Sequence, residues 1–262
     1  MLNVGKRLSI SSLIIRAMMV VLLSASTANA WAASSDTGYQ DSSNYDARDP
    51  WQPFNRKVFA FNDFLDRWFL KPVARGYRAI MPRFLDDGVT NFFSNLGEPI
   101  NLVNSLFQLK PDAAMTATGR FLFNTTFGLG GFFDVAGRMG LPAHDEDFGQ
   151  TLGYWGVGTG PYLVLPFLGP SDVRDASGMT VDYFSPENLW SYIHAPDWYY
   201  LRGLDVVDTR ADLIPAEGLI EGDRYTFLRN AYLQRRQFLV KDGKVDDPFT
   251  SGDDSDVMLK GF

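Results

Sequence analysis

The chain contains no cysteine and almost no histidine, which removes residues on which much protein chemistry depends. None of its 262 residues is cysteine, and the two histidines are His144 and His194. Disulfides, thiol catalysis and cysteine-ligated metals are therefore excluded. Histidine is the most common general base and a frequent metal ligand, so most sites of either kind lack their usual residue. No cofactor is expected.

A surplus of positive charge is also lacking. The chain has 24 basic and 31 acidic residues, a formal net charge of −7. Proteins that bind nucleic acid carry basic surfaces that neutralise phosphates, so a nucleic-acid partner is disfavoured. Beyond residue 30 there is no long apolar run either, and a transmembrane helix needs roughly 20 apolar residues.

Residues 1–30 have the pattern of a secretory signal peptide. Two basic residues precede a mostly apolar run over residues 14–23, and Ala28 and Ala30 match the small-x-small cleavage pattern. An N-terminal membrane anchor is the alternative, but the apolar run is short for a bilayer. We therefore expect cleavage after Ala30.

Composition divides the rest of the chain into three parts. Residues 31–49 are polar and indicate a flexible linker, while residues 242–262 are acidic, poor in apolar groups and indicate a disordered tail. Between them, residues 50–241 form one predicted domain. Aromatic residues make up 15% of the chain, and such residues favour large buried areas or membrane interfaces.

The start of this domain predicts an amphipathic helix. Its large apolar residues recur mostly at spacings of three and four, which places them on one helical face: Phe54, Val58, Phe61, Leu65, Trp68 and Phe69. We expect Lys71-Pro72 to end this helix, because a residue before proline avoids helical geometry.

Prolines separate the other predicted helices. These cover residues 86–96, residues 99–109, a segment that begins at Pro111, residues 196–213 and residues 223–241. Strand signals are weak, since the best run, residues 163–168, is interrupted by a proline. The sequence therefore predicts a mainly α fold of short, proline-bounded amphipathic helices.

A glycine-rich segment, FGQTLGYWGVGTGPYLVLPFLGPS, occupies residues 148–171. Its first five glycines are Gly149, Gly153, Gly156, Gly158 and Gly160. A nucleotide loop of this kind needs a preceding strand and a following helix whose N-terminus takes the phosphate. Here a proline and an apolar run follow, so nucleotide binding is disfavoured.

No catalytic arrangement stands out. A serine hydrolase needs Ser, His and Asp or Glu, and the G-x-S-x-G elbow is missing. Ser171 is better explained as a helix N-cap. His144 precedes three acidic residues, 145–147, which suit a hydrolytic or Ca²⁺ site or, in the favoured interpretation, a solvated acidic loop. No enzymatic activity is predicted.

Asparagine recurs in aromatic surroundings. The positions are Asn55, Asn62, Asn95, Asn101, Asn104 and Asn124. Side-chain amides cap or cross-link helices by hydrogen bonding to backbone groups, and this structural interpretation is favoured. A functional interpretation stays open, in which these amides place polar groups along an otherwise apolar cavity.

Several of these motifs stand in a fixed order over residues 49 to 240. DPWQPFNR occupies residues 49–56, NLGEP residues 95–99, RFLFNT residues 120–125 and FGQTLGYWG residues 148–156. Their order and spacing resemble the MlaA (VacJ) family of outer-membrane lipoproteins. The resemblance covers nearly the whole chain that would remain after signal cleavage.

The resemblance implies an all-α fold in which helices form a ring in the periplasmic-side leaflet of the outer membrane, around an amphipathic channel. Misplaced phospholipid from the outer leaflet would pass through this channel toward the periplasm. The implied partners are phospholipid, a trimeric outer-membrane porin, and a soluble periplasmic lipid carrier that feeds an inner-membrane ABC-type complex. The resemblance implies neither catalysis nor a cofactor. The apolar face of the first helix would then contact the membrane or the neighbouring helices of the ring.

Within such a ring, residues 149–168 of the glycine-rich segment would form a hairpin-like wall or gate of the channel. Its glycines would supply flexible backbone, and Tyr162, Leu163, Leu165 and Phe167 would supply an apolar surface. The other interpretation is that the glycines only allow close packing between helices. A soluble periplasmic protein that binds hydrophobic ligands, or acts as a scaffold, is the alternative function.

One position departs from the family pattern. Family members carry a cysteine that is lipidated, and at the corresponding place this chain reads Leu23-Ser24-Ala25-Ser26. A serine hydroxyl at Ser26 cannot replace the thiol, so the acyl anchor is not expected. Apolar helices would then hold the protein in the membrane, since burying about 1,000 Å² of apolar surface contributes on the order of 25 kcal/mol.

We predict that the mature protein begins at Trp31 and carries no acyl chain. Mass spectrometry of the N-terminus measures both properties. As a control, Ser26→Cys restores a lipidation motif, which should move processing to position 26 and incorporate labelled fatty acid. An acylated N-terminus in the unchanged protein would contradict the prediction.

Overall fold

The structure, a computed structural model, describes residues 46–243. The predicted signal peptide, most of the predicted linker and nearly all of the predicted tail lie outside these residues. The described helices are α1 Gln52–Leu65, α2 Lys71–Ile80, α3 Arg83–Phe107, α4 Pro111–Thr126, α5 Val135–Arg138, α6 Phe148–Tyr154, α7 Val173–Phe184, α8 Asp197–Leu213 and α9 Arg224–Val240. Two short 3₁₀ turns, Leu189–Tyr192 and Pro215–Leu219, precede and follow α8. The prediction of an all-α fold is confirmed.

One antiparallel hairpin interrupts the helices. Strand β1, Tyr162–Leu165, pairs with β2, Gly169–Asp172, so that Tyr162 lies opposite Asp172 and Leu165 opposite Gly169. Pro166 lies in the tip between the strands, where it removes no hydrogen bond from the ladder. The proline therefore delimits a strand that the sequence showed only weakly.

The first helix does not end at Lys71-Pro72 as expected. α1 continues through a π-helical turn, Asp66–Leu70, directly into α2, and Lys71 keeps helical angles of φ −63° and ψ −42°. A π turn widens the helix and shifts its hydrogen bonds to the i→i+5 pattern. The ring of Pro72 then avoids the regular i−4 arrangement in which it would clash. The predicted helix end was wrong for this reason.

Residues 86–96 and 99–109, predicted as two helices, belong to one. α3 runs through Pro99 without a break. A proline inside a helix costs on the order of 3 kcal/mol, and buried bonds on both sides offset that cost. Before the proline, Asn95 donates to Thr125 Oγ1 at 2.9 Å and Glu98 accepts from Arg120 Nε at 2.6 Å. After it, Asn101 accepts from the Glu146 amide at 3.1 Å.

The packing of the elements closes into a cycle. α1 packs on β1, β2 packs on α7 and α9, and both of these helices pack on α6. α6 packs on α3, α3 on α8 and α8 on α2, which returns to α1 through the π-helical turn. α4 packs on α3 and carries α5. This cyclic order agrees with the ring-like arrangement that the family resemblance implies.

The buried residues of this fold are more often polar than apolar. Among the described residues, twenty buried ones are polar or charged and eleven are apolar, and five of those eleven are alanine. Large apolar side chains are instead exposed along much of the chain. Examples are Phe54, Phe61, Trp68, Phe69, Ile80, Phe84, Leu109, Leu122, Phe127, Leu129, Phe167 and Phe184. Over residues 46–243, no helix combines the length and hydrophobicity required to span a bilayer.

Specific close approaches hold these helices together where a large apolar core is lacking. At the crossing of α6 and α7, a Cβ added to Gly178 would lie 2.3 Å from the backbone nitrogen of Gly149. Backbone cannot move aside as a flexible side chain does, so the crossing needs glycine at position 178.

We predict that Gly178→Ala lowers the free energy of unfolding by about 1 to 3 kcal/mol, because the added methyl group overpacks the crossing. Gly203→Ala is the matched control, since nothing lies within 4 Å of its added Cβ on α8. That control should be neutral or stabilising by roughly 0.5 to 1 kcal/mol. Thermal unfolding of the purified variants decides, and equal stabilities would contradict the packing argument.

Candidate functional site

The hairpin lies on α1 through two asparagines that are seven residues apart. Asn55 donates from Nδ2 to the carbonyl of Tyr162 at 3.0 Å and accepts at Oδ1 from the amide of Val164 at 3.0 Å. Asn62 donates to the carbonyl of Leu165 and accepts from the amide of Phe167, both at 2.9 Å. Each side chain thus bonds the hairpin backbone as a neighbouring strand would.

The two faces of the hairpin differ. Tyr162 and Val164 are buried against α9 and α1, where the Tyr162 ring meets Tyr225 and Tyr232 at 6.3 and 6.0 Å. Leu163 and Leu165 are half-buried on the other face. Tyr162 was expected on the apolar surface of a wall or gate, and the structure instead places it in the core beneath the hairpin.

The tip of the hairpin carries the exposed apolar groups of this segment. Phe167 and Leu168 are 77% and 64% exposed. The Phe167 ring meets the Phe61 ring of α1 edge-on, with centroids 5.4 Å apart. Of the proposed wall residues, Phe167 therefore joins the exposed aromatic surface of α1.

That surface explains the predicted face of the first helix. Phe54, Phe61, Trp68 and Phe69 are exposed, whereas Val58 packs under the hairpin and Leu65 is half-buried. The six residues lie on one continuous helical stretch, but they divide between the outside and the interior. The asparagines that bond the hairpin each follow an exposed phenylalanine directly in sequence.

The glycines of the segment serve two different purposes. Gly149 and Gly153 lie in α6, where added Cβ atoms would meet Asp175 Oδ1 at 2.6 Å and Arg174 and Val240 at 2.8 to 2.9 Å. These two support the interpretation of close helix packing. Gly156 and Gly160 lie in the loop before the hairpin, with φ of +87° and +69°. Gly158 has neither a close neighbour nor a positive φ.

A cluster of ion pairs supports the base of the hairpin. Arg236 of α9 binds Asp147 through two bonds of 2.6 and 2.9 Å and also pairs with Asp175. Asp175 further accepts from Arg174 at 2.8 Å and from the Tyr232 hydroxyl at 2.6 Å. α6, α7 and α9 are thereby joined by charge-assisted bonds, which are stronger than neutral ones.

Burial opposes ionisation of Asp147, but the guanidinium of Arg236 and the amide of Gln150 outweigh it and lower the pKa of that carboxyl. Complete burial raises the pKa of Asp172, which caps α7 by accepting from the Asp175 amide at 2.8 Å. Burial likewise raises the pKa of Asp182 to about 6. The pKa values of the carboxyls near the base of the hairpin are therefore shifted in opposite directions.

Two expectations for this region were wrong. Asp172, not Ser171, caps the helix, and Ser171 is a buried residue of β2. The acidic loop is not simply solvated: Glu146 is buried and pairs with Lys110 at 3.1 Å, and Asp147 caps α6. Over residues 46–243, no group of His, Cys, Asp or Glu is placed to hold a metal ion.

The end of the predicted linker is also part of the fold. Asp49 is fully buried and accepts from the Tyr225 hydroxyl at 2.5 Å, from Arg229 at 3.2 Å and from Asn55 at 2.8 Å. Partners distant in sequence bury this aspartate, and composition alone could not show them. The folded unit therefore includes residues 46–49.

Each of the six recurring asparagines makes a bond that joins parts of the fold, which supports their structural interpretation. Asn104 of α3 donates to Asp182 of α7 at 3.1 Å and accepts from Thr151 of α6 at 2.8 Å. Asn124 of α4 accepts from the Ala136 amide at 2.8 Å. Asn101 of α3 accepts from the Glu146 amide at 3.1 Å. The bonds of Asn55, Asn62 and Asn95 are described above.

A sequence model of the MlaA lipoprotein family matches residues 47–239. The chain belongs to this family. The matched range begins and ends within a few residues of the described fold, so Asp49 and α9 are both included. The resemblance carried by the short motifs is confirmed.

Two relatives share the name intermembrane phospholipid transport system lipoprotein MlaA. The one from Escherichia coli (strain K12) is 38% identical over 222 residues, which cover 81% of this chain and 84% of the relative. The one from Haemophilus influenzae is 35% identical over 236 residues, covering 88% and 92%. An uncharacterized protein of Rickettsia felis is 38% identical over 196 residues, covering 74% and 78%.

A solved structure is similar in fold as well as in sequence. It is described as the structural basis for maintenance of bacterial outer membrane lipid asymmetry, and it is 37% identical to this chain with a TM-score of 0.66. The match covers 73% of this chain and 98% of that chain. The fold of this chain is therefore shared with that structure over nearly its whole length.

We predict that Gly156→Ala lowers the free energy of unfolding by about 1 to 2 kcal/mol, because a side chain is strained at positive φ. Gly158→Ala is the matched control in the same loop and should be neutral or slightly stabilising, since it reduces the entropy of the unfolded chain. Thermal unfolding in detergent compares the two. A loss of the same size in both variants would contradict the assignment of backbone roles.

Proposed function

We propose that this protein is a phospholipid-transport component of the outer membrane, which removes mislocalised phospholipid from the outer leaflet and so maintains lipid asymmetry. The membership in the MlaA lipoprotein family and the names of the relatives support this proposal. The structural observation that carries it is the reversed distribution of polarity, with apolar side chains outside and polar ones inside.

The exposed apolar surface suits residence in a membrane. Trp68 is 70% exposed, and Phe69 and Phe127 are exposed to a similar degree. In water each such side chain would forgo on the order of 1.5 to 3 kcal/mol of burial. Large exposed apolar surfaces mark sites of contact with a protein partner or a membrane. We infer that the ring lies in the periplasmic-side leaflet of the outer membrane.

A route for phospholipid through the ring must suit both parts of the lipid. A phospholipid has a charged head and apolar tails, so its route must offer both characters, and irregular backbone at membrane depth must be buried or line a wet cavity. In this proposal the hairpin forms a wall or gate of an amphipathic channel. Its tip, with Phe167, stands beside the aromatic face of α1.

The partners in this proposal are those that the family resemblance implies. A trimeric porin would hold the ring in the outer membrane, and a soluble periplasmic carrier would receive the lipid and deliver it to an inner-membrane ABC-type complex. No catalytic step is needed, because the lipid leaves chemically unchanged.

The alternative is a soluble periplasmic protein that binds hydrophobic ligands or serves as a scaffold. Such a protein would need to hide its apolar surface from water, and the extensive exposure of large apolar side chains from α1 to α4 argues against it. The two functions differ in a simple property, since only the first requires stable association with the membrane.

We predict that the full chain restores lipid asymmetry in a strain that lacks its gene, measured by chemical labelling of phospholipid headgroups at the cell surface. The protein should remain with the membrane fraction after washes with high salt and carbonate. An empty vector is the control for labelling. Unchanged labelling with the chain present at its normal level would overturn the transport function, and a wholly soluble protein would favour the alternative.

A further inference from the structure

One side chain binds the hairpin at the start and in the middle of its tip. Asn62 bonds the carbonyl of Leu165, the last residue of β1, and the amide of Phe167, the middle residue of the tip. A single amide group thus joins α1 to the turn itself, one step beyond the strand ladder. The ladder ends at the pair formed by Leu165 and Gly169.

The residue that Asn62 holds is strained. Phe167 has a φ of +66°, in the left-handed region where a side chain costs roughly 1 to 2 kcal/mol. Its ring is largely exposed, so burial contributes little to keeping it there. Strained backbone persists only where surrounding contacts determine it, and such residues cluster at functional sites. Here the contacts from α1 are the Asn62 bond and the edge of the Phe61 ring.

Asn55 also bonds one carbonyl and one amide of the hairpin backbone, but it does so in a fully buried environment. It has a further bond to Asp49, which in turn binds Tyr225 and Arg229. Loss of Asn55 would leave several buried groups unpaired, at about 1 to 3 kcal/mol each. Asn62 is only half-buried, and the Phe167 amide that it binds is exposed. Asn55 therefore secures the fold, while Asn62 secures only the tip.

We propose that Asn62 is a positioning residue that fixes the hairpin tip, residues 166–168, on α1, and that this position controls lipid passage. The second half rests on the proposed function. Without the Asn62 bonds, Phe167 is free to leave its left-handed conformation and the tip detaches from α1. The ladder between β1 and β2 stays intact, because Asn55 and the packing of Tyr162 still hold it.

The lack of native cysteine allows a direct test of tip mobility. In the full chain, Leu168→Cys carries the single thiol for a spin label, at a side chain that is well exposed. The labelled protein is studied in phospholipid vesicles, alone and with Asn62→Leu, which keeps side-chain size and removes both bonds. Asn91→Leu on α3 is the matched control, because among the described residues its side chain makes a single long bond, to the carbonyl of Phe132 at 3.4 Å.

Asn62→Leu should give the label a mobile component that neither the parent nor Asn91→Leu shows. An unchanged spectrum in Asn62→Leu would overturn the positioning role. Should that variant accumulate poorly, Asn62→Asp replaces it, since a carboxylate still accepts from the Phe167 amide but cannot donate to Leu165. It should give an intermediate mobile fraction. Hydrogen exchange at the Phe167 amide in the parent measures the same bond without a substitution at Asn62. Exchange as fast as that of an unprotected amide would also overturn the proposal.

The link to transport is tested in the deletion strain. These variants carry no label, and the unchanged chain must first restore the normal surface labelling of phospholipid, which separates failure of the proposed function from failure of this inference. With comparable protein levels and melting temperatures, Asn62→Leu should alter surface labelling at least twofold, and Asn91→Leu should not. A loosened tip with normal lipid distribution would show that its position is irrelevant to transport and would overturn the second half.

Discussion

The constraint on which this structure depends is that polar groups inside a helical ring must find partners within the protein. A buried polar group without a hydrogen bond costs several kcal/mol. Among the described residues, the buried polar residues outnumber the buried apolar ones. The helices are therefore placed by particular bonds more than by a broad apolar core. Arg236 illustrates this, because one guanidinium joins α9 to the start of α6 and to α7.

The same constraint divides the surface of α1 between two environments. Asn55 and Asn62 turn their amides to the hairpin, while Phe54 and Phe61, each one residue earlier, turn aromatic rings outward. A helix that must satisfy both sides cannot rotate without exposing amides or burying unmatched rings. The position of the hairpin therefore depends on the position of α1. A change in α1 would be transmitted to the hairpin through hydrogen bonds of about normal length.

Local periodicity and proline positions predicted the helical class, the start of α4 at Pro111 and the extents of α8 and α9, because these depend on nearby residues. The misplaced helix ends at Pro72 and Pro99 depend on a π turn and on buried bonds to another helix. Asp49 was assigned to a linker because its partners, Tyr225 and Arg229, lie far along the chain. The ring and the proposed function came from the resemblance of these motifs to the family, and not from hydrophobic periodicity.

The glycine-rich segment shows why sequence could suggest a gate without locating it. Flexible backbone and close packing call for the same residue, and only the structure separates Gly149, which packs against α7, from Gly156, which adopts a positive φ. The apolar residues that follow alternate between the core and the outside, so Tyr162 supports the hairpin from beneath. A gate in this segment therefore reduces to the tip around Phe167. Its freedom to move depends on the contacts with α1, since the strands that carry it are held by Asn55 and by buried tyrosines.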